Sequence, residues 1–153
     1  MLTFPSCPTP RAARCVHLLV PACPSVHDGR VLDHDVTQAL KAAGVVWVVL
    51  DGHPPRVLWH LWHDGCVWTV VGGAEQELPG LRPGPCEVVV RGPQRQALPP
   101  APMELSVVEP GTELWAQVTP LLHAARLNPV DGPAQPERWA RESTVVRLEP
   151  RAP

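Results

Sequence analysis

Arg56, His60 and Thr69 are the residues whose types and spacing best suit ligand chemistry: a cation, an imidazole and a hydroxyl within one predicted pair of strands. Gly72-Gly73 follows them, with no side chains to block a ligand from the backbone. Arg91, at the end of a later strand, is a second cation able to meet a phosphate. His60, His63 and Cys66 have metal-ligand types, but strand alternation puts His60 on the opposite face from the other two, so no metal site is expected. Cys66 has no neighbouring base and reads as a packed thiol. The chain carries no G-x-S-x-G elbow, P-loop or G-x-G-x-x-G fingerprint. No side chain demands the role of acid or base, so no catalytic residue is assigned.

The element that positions these groups is a predicted hairpin. Arg56 to His63 and Cys66 to Val71 flank Asp64-Gly65, a pair suited to the positive φ angles of a type I′ turn. That turn sets His63 opposite Cys66, Trp62 opposite Val67 and Leu61 opposite Trp68. Continued backwards, it sets Trp59 opposite Val70, Leu58 opposite Val71 and Arg56 opposite Gly73. One face then carries Val57, Trp59, Leu61, Trp68 and Val70, a core face. The other carries Arg56, Leu58, His60, Trp62, Thr69 and Val71, a mixed surface fit for a planar ring bearing a phosphate, or for a subunit interface.

The flanking segments supply the rest of a barrel. Residues 1–33 are proline-rich and read as a flexible leader, with the domain over 34–150. Arg11, Arg14 and Val16 to Val20 resemble a signal peptide only weakly, and Cys23 only faintly a lipid-attachment site. Asp35 is placed to cap a short helix that Gly44 ends. Val45 to Leu50 is continuous and β-branched, as in a strand buried on both faces. Cys86 to Arg91 and Met103 to Val108 are further strands, separated by a loop holding Pro93, Pro99, Pro100 and Pro102. Thr112 caps a helix whose apolar face is Leu114, Trp115, Val118, Leu121, Leu122 and Ala125; Pro120 should kink it, and Asn128-Pro129 end it. His123 falls on its exposed flank. Pro136 opens a short helix with Arg138, Trp139 and Arg141, and Thr144 to Leu148 is the last strand. Glu75, Glu77, Arg138 and Arg141 read as solvated charges. Short connections between six strands argue for a mainly β (α+β) fold, a six-stranded antiparallel barrel with flanking helices.

Composition narrows the class. The 153-residue chain has formal charge −2 and a single lysine, Lys41, so it has no basic stripe for nucleic acid. Its longest apolar run is too short to span a bilayer. Five cysteines, none in C-x-x-C spacing, fit a reducing cytoplasmic setting better than a disulfide framework.

Pro54-Pro55-Arg56-Val57-Leu58-Trp59-His60, the Asp64-Gly65 hairpin and Val67-Trp68-Thr69-Val70 resemble the second and third strands of the pyridoxamine 5′-phosphate oxidase-like split barrels. The closing stretch, Leu122 to Asn128 and Gln135 to Ser143, resembles actinobacterial members of that family. The resemblance implies a homodimer with FMN, or the deazaflavin F420, between subunits. It implies a flavin-dependent oxidoreductase acting on a small molecule, with Arg56, His60, Trp68, Thr69, Gly72, Gly73, Gln76 and Arg91 as cofactor positions, Trp68 through its backbone alone. Where a basic, glycine-containing run is expected after the fourth strand, this chain has Gly92-Pro93-Gln94-Arg95-Gln96 and the proline-rich loop. The alternative is therefore a non-catalytic, degenerate split barrel that dimerises or binds a small ligand, its cofactor lost.

Overall fold

The computed structural model describes residues 32–126 and 131–152; residues 1–31 of the leader and the Asn128-Pro129 stop lie outside them, while Asp33, at the leader's end, belongs to the first helix as its cap. The elements run α1 (His34–Ala42), β1 (Val45–Val49), β2 (Arg56–Trp59), β3 (Leu61–His63), β4 (Cys66–Val71), β5 (Gly84–Val89), β6 (Ala101–Val108), α2 (Glu113–Ala125), a single 3-10 turn at Gly132–Ala134, α3 (Gln135–Glu142) and β7 (Thr144–Pro150). All ladders are antiparallel, in the order β2-β1-β5-β6-β7-β4-β3. The sheet curls into a nearly closed barrel with three helices, a split-barrel fold.

The Asp64-Gly65 turn forms as read, both residues at positive φ (49° and 71°), and it pairs Leu61, Trp62 and His63 with Trp68, Val67 and Cys66. The predicted strand from Arg56 to His63 does not continue through His60. It breaks there into β2 and β3, so seven strands form rather than six. β2 leaves the hairpin and pairs with β1, Val48 opposite Arg56 and Val45 opposite Trp59. Arg56 thus does not face Gly73, nor does Trp59 pair with Val70. The physical cause is barrel closure. β2 and β3 are the two ends of the sheet, joined in sequence by one residue, and the chain must cross the gap there.

Side chains complete the closure that no ladder makes. The Trp59 N–H donates to Gln76 Oε1 (2.8 Å), and the Trp59 carbonyl accepts from Thr69 Oγ1 (2.7 Å). Both backbone groups at the break are satisfied, as burial requires.

Two cores result. The barrel interior holds Val46, Val48, Leu58, Val67, Met103, Leu105, Val146 and Leu148, stoppered by Val36, Ala39 and Leu40 of α1. The second lies outside the barrel wall, where Trp59, Trp68, Val70 and Val145 meet Trp115, Val118 and Leu122 of α2 and Trp139 of α3. β4 is therefore buried on both faces. The mixed face predicted for a ligand lies on the barrel-interior side: Leu58 is 0% and Val71 2% exposed. β1 reverses the other expectation. Only Val46 and Val48 are buried, while Val45, Trp47 and Val49 line an outer face that stays partly exposed among the described residues.

The caps follow local chemistry. Asp33, not Asp35, caps α1, its carboxylate accepting from the Asp35 N–H (2.8 Å). Thr112 caps α2 as read, accepting from the Trp115 N–H. α2 runs through Pro120 as one helix; the carbonyl that loses its helical donor belongs to solvent-facing Ala116. Leu114 and Leu121 remain 37% and 39% exposed, so the buried face of α2 is narrower than its apolar pattern. None of the described helices is long and apolar enough to cross a membrane.

Candidate functional site

Three of the polar groups expected to receive a ligand, Thr69, Gln76 and His60, already have partners within the chain. Thr69 and Gln76 are engaged by the Trp59 backbone. His60 is buried at the strand break, its Nε2–H donating to the Leu40 carbonyl (2.9 Å) and so tying the barrel to α1. The Trp68 side chain lies in the outer core as expected, its Nε1–H on the His63 carbonyl and the Arg147 guanidinium over its ring. The Trp68 backbone is flanked by β3 and β7. Gly72 and Gly73 have φ of 81° and 63°, and a Cβ on Gly73 would sit 2.7 Å from the Glu142 carbonyl oxygen. These glycines admit the end of α3 rather than opening a path for a ligand.

Arg56 and Arg91 are exposed and have no ion pair among the described residues. The pleat separates them. Arg56 pairs with Val48, whose side chain faces inward. Arg91 follows Val89, the partner of outward-facing Trp47, and its guanidinium stacks 4.9 Å over the Trp47 ring. A flavin phosphate carries nearly two charges and needs several donors converging on it. Within one chain these two arginines do not converge, and Thr69, Gln76 and His60 are engaged elsewhere. Among the described residues of a single chain, these groups do not make a converging set for a flavin phosphate.

The outer sheet face offers a different site. A cavity of about 250 Å³ is lined by Trp47, Val49, Pro55, Val89, Arg91 and Ala97. It continues onto Val45 and Val57, 40% and 42% exposed. This is an apolar surface with one cation at its edge, a chemistry suited to a flat apolar body or another protein surface. The run Val45 to Leu50 held the signal, but its continuity looked like burial on both faces.

A second cluster escaped the sequence reading. Glu75, expected in solvent, is a buried carboxylate whose side chain is 1% exposed. Its Oε1 accepts from Trp139 Nε1–H (2.9 Å), Gln135 Nε2–H (3.3 Å) and Arg138 (3.3 Å), and Arg126 reaches Oε2 at 2.8 Å. Arg138, also expected in solvent, has a side chain 12% exposed and pairs with Asp131 as well. His123 is partly buried, its Nε2 2.8 Å from the Gly132 carbonyl. The sequence signal was the i, i+3, i+4 spacing of Gln135, Arg138 and Trp139, which puts all three on one face of α3.

Among the described residues, neither thiol is activated for nucleophilic chemistry. Cys66 and Cys86 are buried; burial pushes both thiols up, Cys86 to about 12. No cluster of potential metal ligands exists among the described residues. Burial lowers the His60 pKa below the ordinary 6.5, partly opposed by the bond to Leu40. Between that lowered value and 6.5 the unfolded chain binds a proton that the native state refuses, so stability falls as pH drops through this window. Urea melts at about pH 7.5 and 5.5 are expected to show this loss, and His60→Gln to reduce it. An equal loss in the variant would assign it to other groups.

These features define a class by fold: a split barrel whose apolar outer face is partly exposed among the described residues. No family model matches the chain, and no curated protein does. Among solved structures it is similar to the heme storage protein HutZ from Vibrio cholerae, at 14% identity and TM-score 0.54, over 80% of this chain and 92% of that one. It is also similar to a putative pyridoxamine 5′-phosphate oxidase from Listeria innocua (16% identity, TM-score 0.48, 76% of this chain and 91% of that one). A general stress FMN/FAD-binding protein from Xanthomonas citri stands at 16% identity and TM-score 0.49, over 76% of this chain and 82% of that one.

Proposed function

We propose that this protein is a non-catalytic split-barrel module of the cytoplasm. It pairs with a second copy through the outer face of β2, β1 and β5 and takes a small, largely apolar ligand in the groove beside Trp47 and Arg91. The observation that carries this reading is the division of the polar groups. Thr69, Gln76 and His60 hold the barrel together, while the cavity on the partly exposed outer face is apolar apart from Arg91. Val57 stands opposite Trp47 on that face, so an aspartate there places a charge in the middle of the interface without touching the core. Light scattering is expected to give twice the 16.7 kDa chain mass for the native protein. Val57→Asp should give a folded monomer. A native monomer at about 100 µM, a concentration at which even weak specific pairs associate, would overturn the pairing.

A flavin-dependent oxidoreductase, using FMN or F420 on a small-molecule substrate, is the second reading. It is favoured by Arg56 and Arg91, both exposed and free of ion pairs among the described residues. In a pair of subunits, cations separated by the pleat in one chain could be complemented by the other. In that reading Arg56, His60, Trp68, Thr69, Gly72, Gly73, Gln76 and Arg91 remain the cofactor positions, and no residue is assigned as acid or base.

A further inference from the structure

The groove on the outer sheet face has a direction. Alternation along the strand puts Glu87, Val89 and Arg91 on one face, and the ladder sets Val49 beside Glu87 and Trp47 beside Val89. A guanidinium therefore stands at one end and an exposed carboxylate beyond the other, about 13 Å apart along the strand, with apolar side chains between them. Arg91 sits at the base of a tight turn closed by the bond from the Gly92 N–H to the Gln96 carbonyl. Its bridge partner is Ala97, whose methyl takes little of the space beside the guanidinium. That guanidinium lies 4.9 Å over the Trp47 ring, which orients it and shields one side of it from water. None of its N–H donors meets an acceptor among the described residues.

The volume sets the size of the body that fits. A cavity of about 150 Å³ suffices for benzene, and sites for drug-sized ligands begin near about 300 Å³. At about 250 Å³ this groove takes one or two fused rings and not a flavin nucleotide. We propose that it binds a flat, apolar monocarboxylate of the aromatic-acid class, the ring against Trp47 and Val89 and the carboxylate on Arg91. A guanidinium engages a carboxylate through two parallel hydrogen bonds. One cation matches one negative charge, and Glu87 at the far end repels a second. The inference deepens the function proposed above and rests on it, because it requires that the groove take a ligand.

2-Naphthoate is the probe, and 2-naphthalenemethanol its uncharged counterpart. Both are titrated with the full-length native protein and followed by the ligands' proton NMR signals. The acid is expected to bind at least about tenfold more tightly than the alcohol, the least that a hydrogen bond to a charged group contributes. Arg91→Gln should bring the two to within about twofold of each other. 2,6-Naphthalenedicarboxylate should bind the native protein more weakly than 2-naphthoate. Equal native affinities for acid and alcohol would overturn the carboxylate specificity and leave the groove standing as an apolar site. Binding of neither at about 1 mM ligand would remove the groove reading itself, and this inference with it. A preference for the acid kept in Arg91→Gln, or a dicarboxylate bound as tightly as 2-naphthoate, would also overturn the assignment.

Discussion

Trp139→Ala is expected to lower unfolding stability by about 3–5 kcal/mol, the usual cost of truncating a fully buried aromatic residue. Trp139 is 0% exposed and joins α3 to the outer core, where its ring meets Trp59 and its neighbours come from α2 and the β4–β7 wall. Truncation does two separable things. It opens a cavity, and it removes the indole N–H from the Glu75 carboxylate. Trp139→Phe separates them: it keeps most of the packing and loses the donor, so it should cost about 1.5–3 kcal/mol, the range for a hydrogen bond to a charged group. Urea unfolding of both variants checks the ordering. A Trp139→Ala cost below about 1 kcal/mol would mean that α3 does not pack on the barrel as described.

Glu75→Gln is expected to cost about 3 kcal/mol, at the lower end of the range for breaking a buried ion pair. The lower end applies because Arg126 is 24% exposed, so water relieves part of its stranded charge, and because Arg138 keeps Asp131. The clearer signature is coupling. Arg126→Ala should be destabilising in the native background and much less so, or even stabilising, beside Glu75→Gln, since it then removes a charge that has lost its partner. Additive costs in urea melts of the two single variants and the double would show that the pair is not coupled.

Much of the fold was legible because it rests on local rules. Asp64-Gly65 marked a turn by its need for positive φ, and the register of Leu61, Trp62 and His63 followed. Thr112 marked the start of α2, and Pro136 that of α3. The errors share one physical cause, which is closure. A strand read from its own residues continues until a turn signal stops it, and nothing in Trp59-His60-Leu61 resembles a turn. The break at His60 appears only when both ends of a curled sheet must meet, and it moves Arg56 from the hairpin to β1. The same closure engages Thr69 and Gln76, whose side chains replace hydrogen bonds that a neighbouring strand would have made. Glu75 was misread for a related reason. Its partners Arg126 and Arg138 lie far along the chain, and a lone glutamate beside two glycines resembles a solvated loop charge until the helices fold back over it.

The contrast between internally committed polar groups and an open apolar face is the centre of this account. Titrating FMN with the purified native protein, and following the fluorescence of the free flavin, tests it most directly. The account predicts no saturable quenching up to about 100 µM protein. Saturable quenching with a dissociation constant below about 10 µM, lost in Arg56→Ala, would contradict it and give the site to a flavin.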